Sequence, residues 1–430
     1  VGQNLRAGGA TFAALLLAAC THRTPLDDYV AAPDANFAYA PRAEINGDGA
    51  TATVYEMTSQ EWRGIPWRHW LTVVRPEKLE SDFCLLMIGG GKNTDPPPAE
   101  IPGWMARTAT AARSIVAELR MVPNQPITFD QPRSEDSLLA YGQDQYLKTG
   151  DPTWIVRLPM TKSAVRAMDA IAAVAGARRF VVAGGSKRGW TSWTTAAVDP
   201  RVAAVIPIVI DVLNVRPSMK HHHAAYGFWA PAIHDYEETG LMEKLEGPGM
   251  DAILAIDDPY SYRDRFTMPK FILNATGDQF FLPDSSQFYF DDLPGPKWLR
   301  YVPNADHSLK NTDARESISA FFRAIVEGRP LPRLSWSNGS AGLAVRADPA
   351  PDQAILWQAT NPDARDFRLE KIGPAWTSRR LEPDPDGAFS ARVPPPPRGW
   401  TAYLIELKFG PHTFTTPVVV TPDTLPHASR

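Results

Sequence analysis

The stretch "RRFVVAGGSKRGWTSW", Arg178 to Trp193, decides the fold. After Arg178 and Arg179 it runs apolar from Phe180 to Ala183, passes through Gly184 and Gly185 to Ser186, and continues into a helix-like segment. A short continuous apolar run ending in glycine reads as a strand buried on both faces. Strand, Gly-Gly-Ser and helix is the local order of a nucleophile elbow, where a strained turn lifts a serine hydroxyl above the end of a sheet. The glycines allow a backbone approach that a side chain would block. A lone Gly-x-Ser match is weak, and a serine at a tight turn is the alternative. The strand before it and the helix after it are the context the elbow requires.

Working outward, residues 50 to 330 alternate between strand-like and helix-like segments. Strands are expected at "TATVYEM" (51–57), "WRHWLTVVRP" (67–76), "DFCLLMIGGG" (82–91), "SIVAELRM" (114–121), "RRFVVAGG", "AAVIPIVI" (203–210), "KFILNAT" (270–276) and "KWLRYVP" (297–303). "MTKSAVRAMDAIAAVAG" (160–176) carries an apolar stripe near helical spacing, with Gly176 suited to the C-cap. Helices between most strands imply parallel crossovers, hence an α/β class with a doubly wound, mostly parallel sheet. The aromatic-rich insertion at about 215–265 reads as a lid. Beyond "GRPLPRLSW" the runs shorten, alternate and are divided by Pro, Gly and Asp, so residues 331–430 read as a C-terminal β-sandwich. The α/β domain is then 43–330, with 21–42 a tether.

Partners for Ser186 stand in the expected order. Asp278 follows the seventh expected strand in "FILNATGDQFF", and His307 follows the eighth in "LRYVPNADHSL". Ser, Asp and His at successive strand ends is the α/β-hydrolase order. His307 would take the proton of Ser186, and Asp278 would fix the imidazole tautomer. Each residue has a plainer reading as a turn or loop residue. Rival acids are Asp211, after the sixth expected strand, Asp284 and Asp306, the last badly placed beside His307. Oxyanion donors are expected from the backbone N–H of Lys187 and from Gly90 and Gly91 in the triple glycine 89–91. This chemistry needs no cofactor. Consecutive side chains point apart, so His221, His222 and His223 make a poor metal site, and none is expected.

Composition excludes other classes. The net charge of −4 offers no basic surface for nucleic acid. Cys84 lies in an apolar run with only Cys20 elsewhere, so no internal disulfide is expected in a chain processed at Cys20. Residues 1–20, "VGQNLRAGGATFAALLLAAC", read as a signal peptide ending in a lipobox-like "LAAC", with Cys20 the lipidation site; ordinary cleavage is the alternative. The expectation is an exported protein held to a membrane by its lipid anchor, at the periplasmic face of the outer membrane.

"VPNQPITF" (122–129), "EDSLLAYG" (135–142), "LPMTKSAVRAMDA" (158–170), "GGSKRGWTSW" (184–193) and "GDQFFLPDSS" (277–286) resemble the PhoPQ-activated pathogenicity-related protein family. The resemblance covers roughly residues 30–430 and implies an α/β-hydrolase-like domain with a β-sandwich tail in a bacterial envelope protein. It supplies no firm substrate. The elbow departs from Gly-x-Ser-x-Gly, since position 188 is Arg and Gly189 comes one later. That offset is similar to glucuronoyl esterases, which implies a charge-assisted oxyanion donor from the Lys187 side chain. The alternative is that both basic chains face solvent or cap helices. The resulting expectation is an envelope serine hydrolase acting on a small-molecule, peptide or glycan ester substrate. The alternative is a non-catalytic binding protein that keeps the fold.

Overall fold

The computed structural model describes residues 23–47, 49–340 and 342–428. Its centre is one nine-stranded sheet. In chain order the strands are β1 (Ala38–Gly47), β2 (Ala50–Trp62), β3 (Ile65–Pro76), β4 (Phe83–Ile88) and β5 (Ile115–Leu119). A two-residue hairpin, β6 (Ile127–Thr128) and β7 (Pro132–Arg133), precedes β8 (Arg179–Gly185), β9 (Val202–Ile208), β10 (Lys270–Ala275) and β11 (Lys297–Val302). The spatial order is β1-β2-β3-β5-β4-β8-β9-β10-β11. The first three strands and β5 pair antiparallel, and every pairing from β5 through β4 to β11 is parallel.

Burial explains the strands. Along β4, Cys84, Leu86 and Ile88 enter one apolar cluster while Phe83 and Leu85 enter the other. Two-residue periodicity therefore feeds a core on each face of the sheet. The first face is covered by α1 (Pro25–Ala31), α3 (Glu135–Thr149), α4 (Arg157–Ala175) and α5 (Lys187–Val198); α2 (Gly103–Ala112) and α9 (Ala314–Glu327) cover the second. Gly176 caps α4 at φ 76°, a left-handed backbone that glycine adopts without a Cβ clash.

The expected tether is corrected. Thr24 and Asp27 form a capping box that starts α1, and Leu26 and Val30 are buried in the first core. Residues 38–47 then form the edge strand of the main sheet. The insertion after β9 is helical: α6 (Val215–Tyr226), α7 (His234–Glu238) and α8 (Pro248–Asp257). Beyond α9 lies an antiparallel region. Its three-stranded sheet holds β12 (Arg333–Gly339), β13 (Gly342–Asp348) and β16 (Phe389–Ala391). Its five-stranded sheet holds β14 (Gln353–Asn361), β15 (Thr377–Leu381), β17 (Trp400–Phe409), β18 (His412–Thr415) and β19 (Val419–Thr421), with the single turn α10 (Leu369–Ile372) between β14 and β15. No helix among the described residues is long and apolar enough to cross a membrane.

Candidate active site

The sheet reverses direction of growth at β4: the chain first winds outward to β5, then returns to β8 on the other side. Such a switch point opens a crevice at the carboxyl ends of the strands. Gly89–Gly91 leave the end of β4, Ser186 the end of β8, Asp278 follows β10 and His307 follows β11. Ser186 holds φ 57° and ψ −130°, a backbone strained for a non-glycine residue. Gly184 permits that turn, since a Cβ there would lie 2.5 Å from the Arg188 carbonyl oxygen.

His307 Nδ1 donates to Asp278 Oδ2 at 2.7 Å. A carboxylate oxygen accepts, which assigns a proton to Nδ1 and leaves Nε2 free to take one. Nε2 is buried and has no hydrogen-bond partner among the described residues. The other carboxylate oxygen of Asp278 accepts from the Phe280 N–H at 2.7 Å, and Gln279 Oε1 accepts from the His307 N–H at 2.9 Å. The Phe280 ring packs on the imidazole, centroids 4.4 Å apart. Phe280 and Ser186 line one cavity.

The other sequence candidates fall elsewhere. Asp211 is buried between two phenols: Tyr289 donates to Oδ1 at 2.7 Å and Tyr301 to Oδ2 at 2.5 Å. Burial pushes its carboxyl up to about 8 against those two hydrogen bonds. Asp284 is buried on Arg365 and His221, and Asp306 binds its own turn through Ser308. The histidine run separates as expected of consecutive positions. His221 faces Asp284, His222 Nε2 accepts from the Ala230 N–H, and the His223 ring packs on Trp229. No group of three or more metal-ligating side chains occurs among the described residues. Cys84 is buried, which pushes its thiol up. Cys20 lies outside the described residues.

The Lys-Arg pair turns inward, which sets aside the alternative that both basic chains face solvent or cap helices. Lys187 Nζ is buried between Glu135 Oε2 at 2.8 Å and Asp136 Oδ2 at 3.1 Å. Arg188 bonds Glu135 Oε1 and the Val122 carbonyl, both at 2.5 Å. Its guanidinium lies under Gly90, where a Cβ would come within 2.7 Å of Nη2. Burial alone would raise the Glu135 carboxyl, but Arg188 and Lys187 hold it down at about 2. Carbonyls of Gly89 and Gly90 accept from Val122 and Met121. One ionic cluster thus ties the elbow, the glycine loop and the start of α3 together. The backbone N–H of Lys187 stays free of the helix ladder, being the first residue of α5. Sequence reasoning missed Glu135 and Asp136 as site residues, although "EDSLLAYG" carries them.

The model of the PhoPQ-activated pathogenicity-related protein family matches residues 26–368. The chain belongs to that family. Among curated proteins it is 35% identical, over 96% of its length and 94% of the relative's, to autocrine proliferation repressor protein A of Dictyostelium discoideum. Among solved structures it resembles acetyl xylan esterase 1 from Thermoanaerobacterium sp. JW/SL YS485, with TM-score 0.51 and 14% identity over 71% of this chain and 94% of that one. An acetyl xylan esterase from Paenibacillus sp. R4 gives TM-score 0.52 and 13% identity over 70% and 92%. At such identities the likeness is one of fold, and the fold is that of the α/β-hydrolases. The family match extends past β13, so it takes in part of the antiparallel region as well as the hydrolase core.

Proposed function

We propose that the chain is a serine hydrolase that transfers an acyl group from an ester or peptide to water, with Ser186, His307 and Asp278 as its triad. The observation that carries this reading is the 2.7 Å Asp278–His307 hydrogen bond at neighbouring strand ends, with Nε2 left open. Ser186, in its strained turn, lines one cavity with Phe280, whose ring packs on the imidazole. Ser186 Oγ forms the new bond to the carbonyl carbon and passes its proton to His307 Nε2. The imidazolium then protonates the departing alcohol or amine. Water attacks the acyl-serine by the same route in reverse. Backbone N–H groups of Lys187 and of Gly90 or Gly91 receive the oxyanion. The Lys187 ammonium, engaged by two carboxylates, holds that turn in place.

An active-site fluorophosphonate tests this. Wild type should label and Ser186→Ala should not. A second reading, a binding protein that keeps the fold, is favoured by the name of the relative at 35% identity, a repressor. Folded wild type that stays unlabelled would establish that reading instead. Export and lipidation at Cys20 are proposed on the sequence alone; radiolabelled palmitate should be incorporated by wild type and not by Cys20→Ser.

A further inference from the structure

We infer that the cavity beside Ser186 selects an uncharged aliphatic group of the substrate, about six to nine carbons in size. The inference rests on the hydrolase reading and names a substrate class for it. Residues of the insertion form half of the cavity wall. Met219 of α6, Ile233, Leu241, and Met250 and Ile253 of α8 are buried there, facing Ile210 beyond β9. Methionines make such a wall adjustable to irregular aliphatic shapes.

The charged groups on the wall are spent on one another. Lys187 is held by Glu135 and Asp136, and Asp136 also accepts from the Tyr236 hydroxyl at 3.0 Å. Arg157 Nε donates to Asp257 Oδ1 at 3.1 Å, and Gln143 donates to the other oxygen of Asp257 at 2.6 Å. A second Arg157 nitrogen donates to the Lys187 carbonyl. Each charge on this wall already has its counter-charge. A carboxylate or ammonium on the substrate would leave water without a partner, a cost far above that of an aliphatic group. The cavity has a volume of about 90 Å³. At roughly 10–15 Å³ for each water-sized group, that accommodates about six to nine carbons.

The test is the rate at which Ser186 reacts with fluorophosphonates bearing an ethyl, a hexyl or a carboxypentyl chain. Hexyl should react at least about tenfold faster than either of the others, since burying each methylene contributes about 0.8 kcal/mol. Met219→Ala, which enlarges the cavity, should move the optimum toward decyl. Equal rates for all three chains, each abolished in Ser186→Ala, would overturn this inference and leave the hydrolase reading intact. A carboxypentyl rate equal to hexyl would overturn it too. No labelling of the folded wild type by any chain would overturn both. Turnover of p-nitrophenyl hexanoate against norleucine p-nitroanilide then tells whether an acyl chain or an amino-acid side chain supplies the group; rejection of both by a protein that labels counts against the inference.

Discussion

Asp278 matters at the scale of a single atom, because its carboxylate decides which imidazole nitrogen keeps the proton. In Asp278→Asn the amide can donate to Nδ1 and leave the proton on Nε2, where no base then faces Ser186. Turnover should fall by about 10⁴ with binding little changed, read as separate kcat and KM values. Glu135 acts at one remove, through Lys187 and Arg188. Glu135→Gln keeps the shape and removes the charge, so kcat should fall about 10- to 100-fold from a misplaced elbow, KM should hold, and Glu135→Asp should restore part of the loss. A rise in KM alone would exclude this positioning role. Asp211 gives a pH effect of opposite origin. Its folded carboxyl sits near 8 and its unfolded one near 4. Its contribution is complete below about pH 4 and is lost as pH rises through about 8. Urea midpoints of Asp211→Asn should therefore gain on wild type between pH 5 and pH 8; parallel curves would refute the assignment. Ser186, Asp278 and His307 were legible because each follows a strand. The partners of Lys187 were not, since an ion pair between distant segments leaves no periodic trace.

At the scale of elements, the elbow depends on how closely α5 approaches the sheet. A Cβ at Gly189 would lie 2.7 Å from the Gly184 carbonyl oxygen and 3.0 Å from the Ile208 backbone N and O. All three are backbone atoms and can move only with their strands. Gly189→Ala should therefore cost about 1–3 kcal/mol, measured by denaturant unfolding, and should reduce fluorophosphonate labelling as Ser186 shifts. An unchanged midpoint would show that the helix can withdraw at no cost. The eight buried or half-buried strands of the main sheet were legible because each carries a run or alternation of buried apolar residues. Edge strand β1 was not, because it is exposed along most of its length and has no apolar face to read. Helix α1 has only seven residues, too short for a periodic signal, and its capping box was the one clue available.

Across the whole molecule, the antiparallel region is joined to the hydrolase core at the turn that carries Asp278. The Leu369 N–H donates to the Gly277 carbonyl at 3.0 Å, and a Cβ on Gly277 would strike Leu369 at 2.8 Å. Asn304, three residues before His307, exchanges hydrogen bonds of 2.9 Å with both backbone groups of Trp376. Thr415 of β18 accepts from the Tyr301 N–H of β11 at 3.0 Å. Arg365 and Asp284 form a buried ion pair at 2.6 Å across the same junction. Burial would raise the Asp284 carboxyl, but Arg365 and His221 override it and hold it well below the usual range. The turn bearing Asp278 thus rests on residues beyond 330, a contact that the division of the chain at residue 330 does not itself foretell. Arg365→Met leaves Asp284 buried and without its main counter-charge, a loss of about 3–5 kcal/mol. If the two parts fold as one unit, calorimetry of the variant should show a single transition moved down as a whole, with calorimetric and van't Hoff enthalpies equal. Two separated transitions, with only one of them shifted, would show instead that the antiparallel region melts alone, and the hydrolase core would then have to hold Asp278 without it.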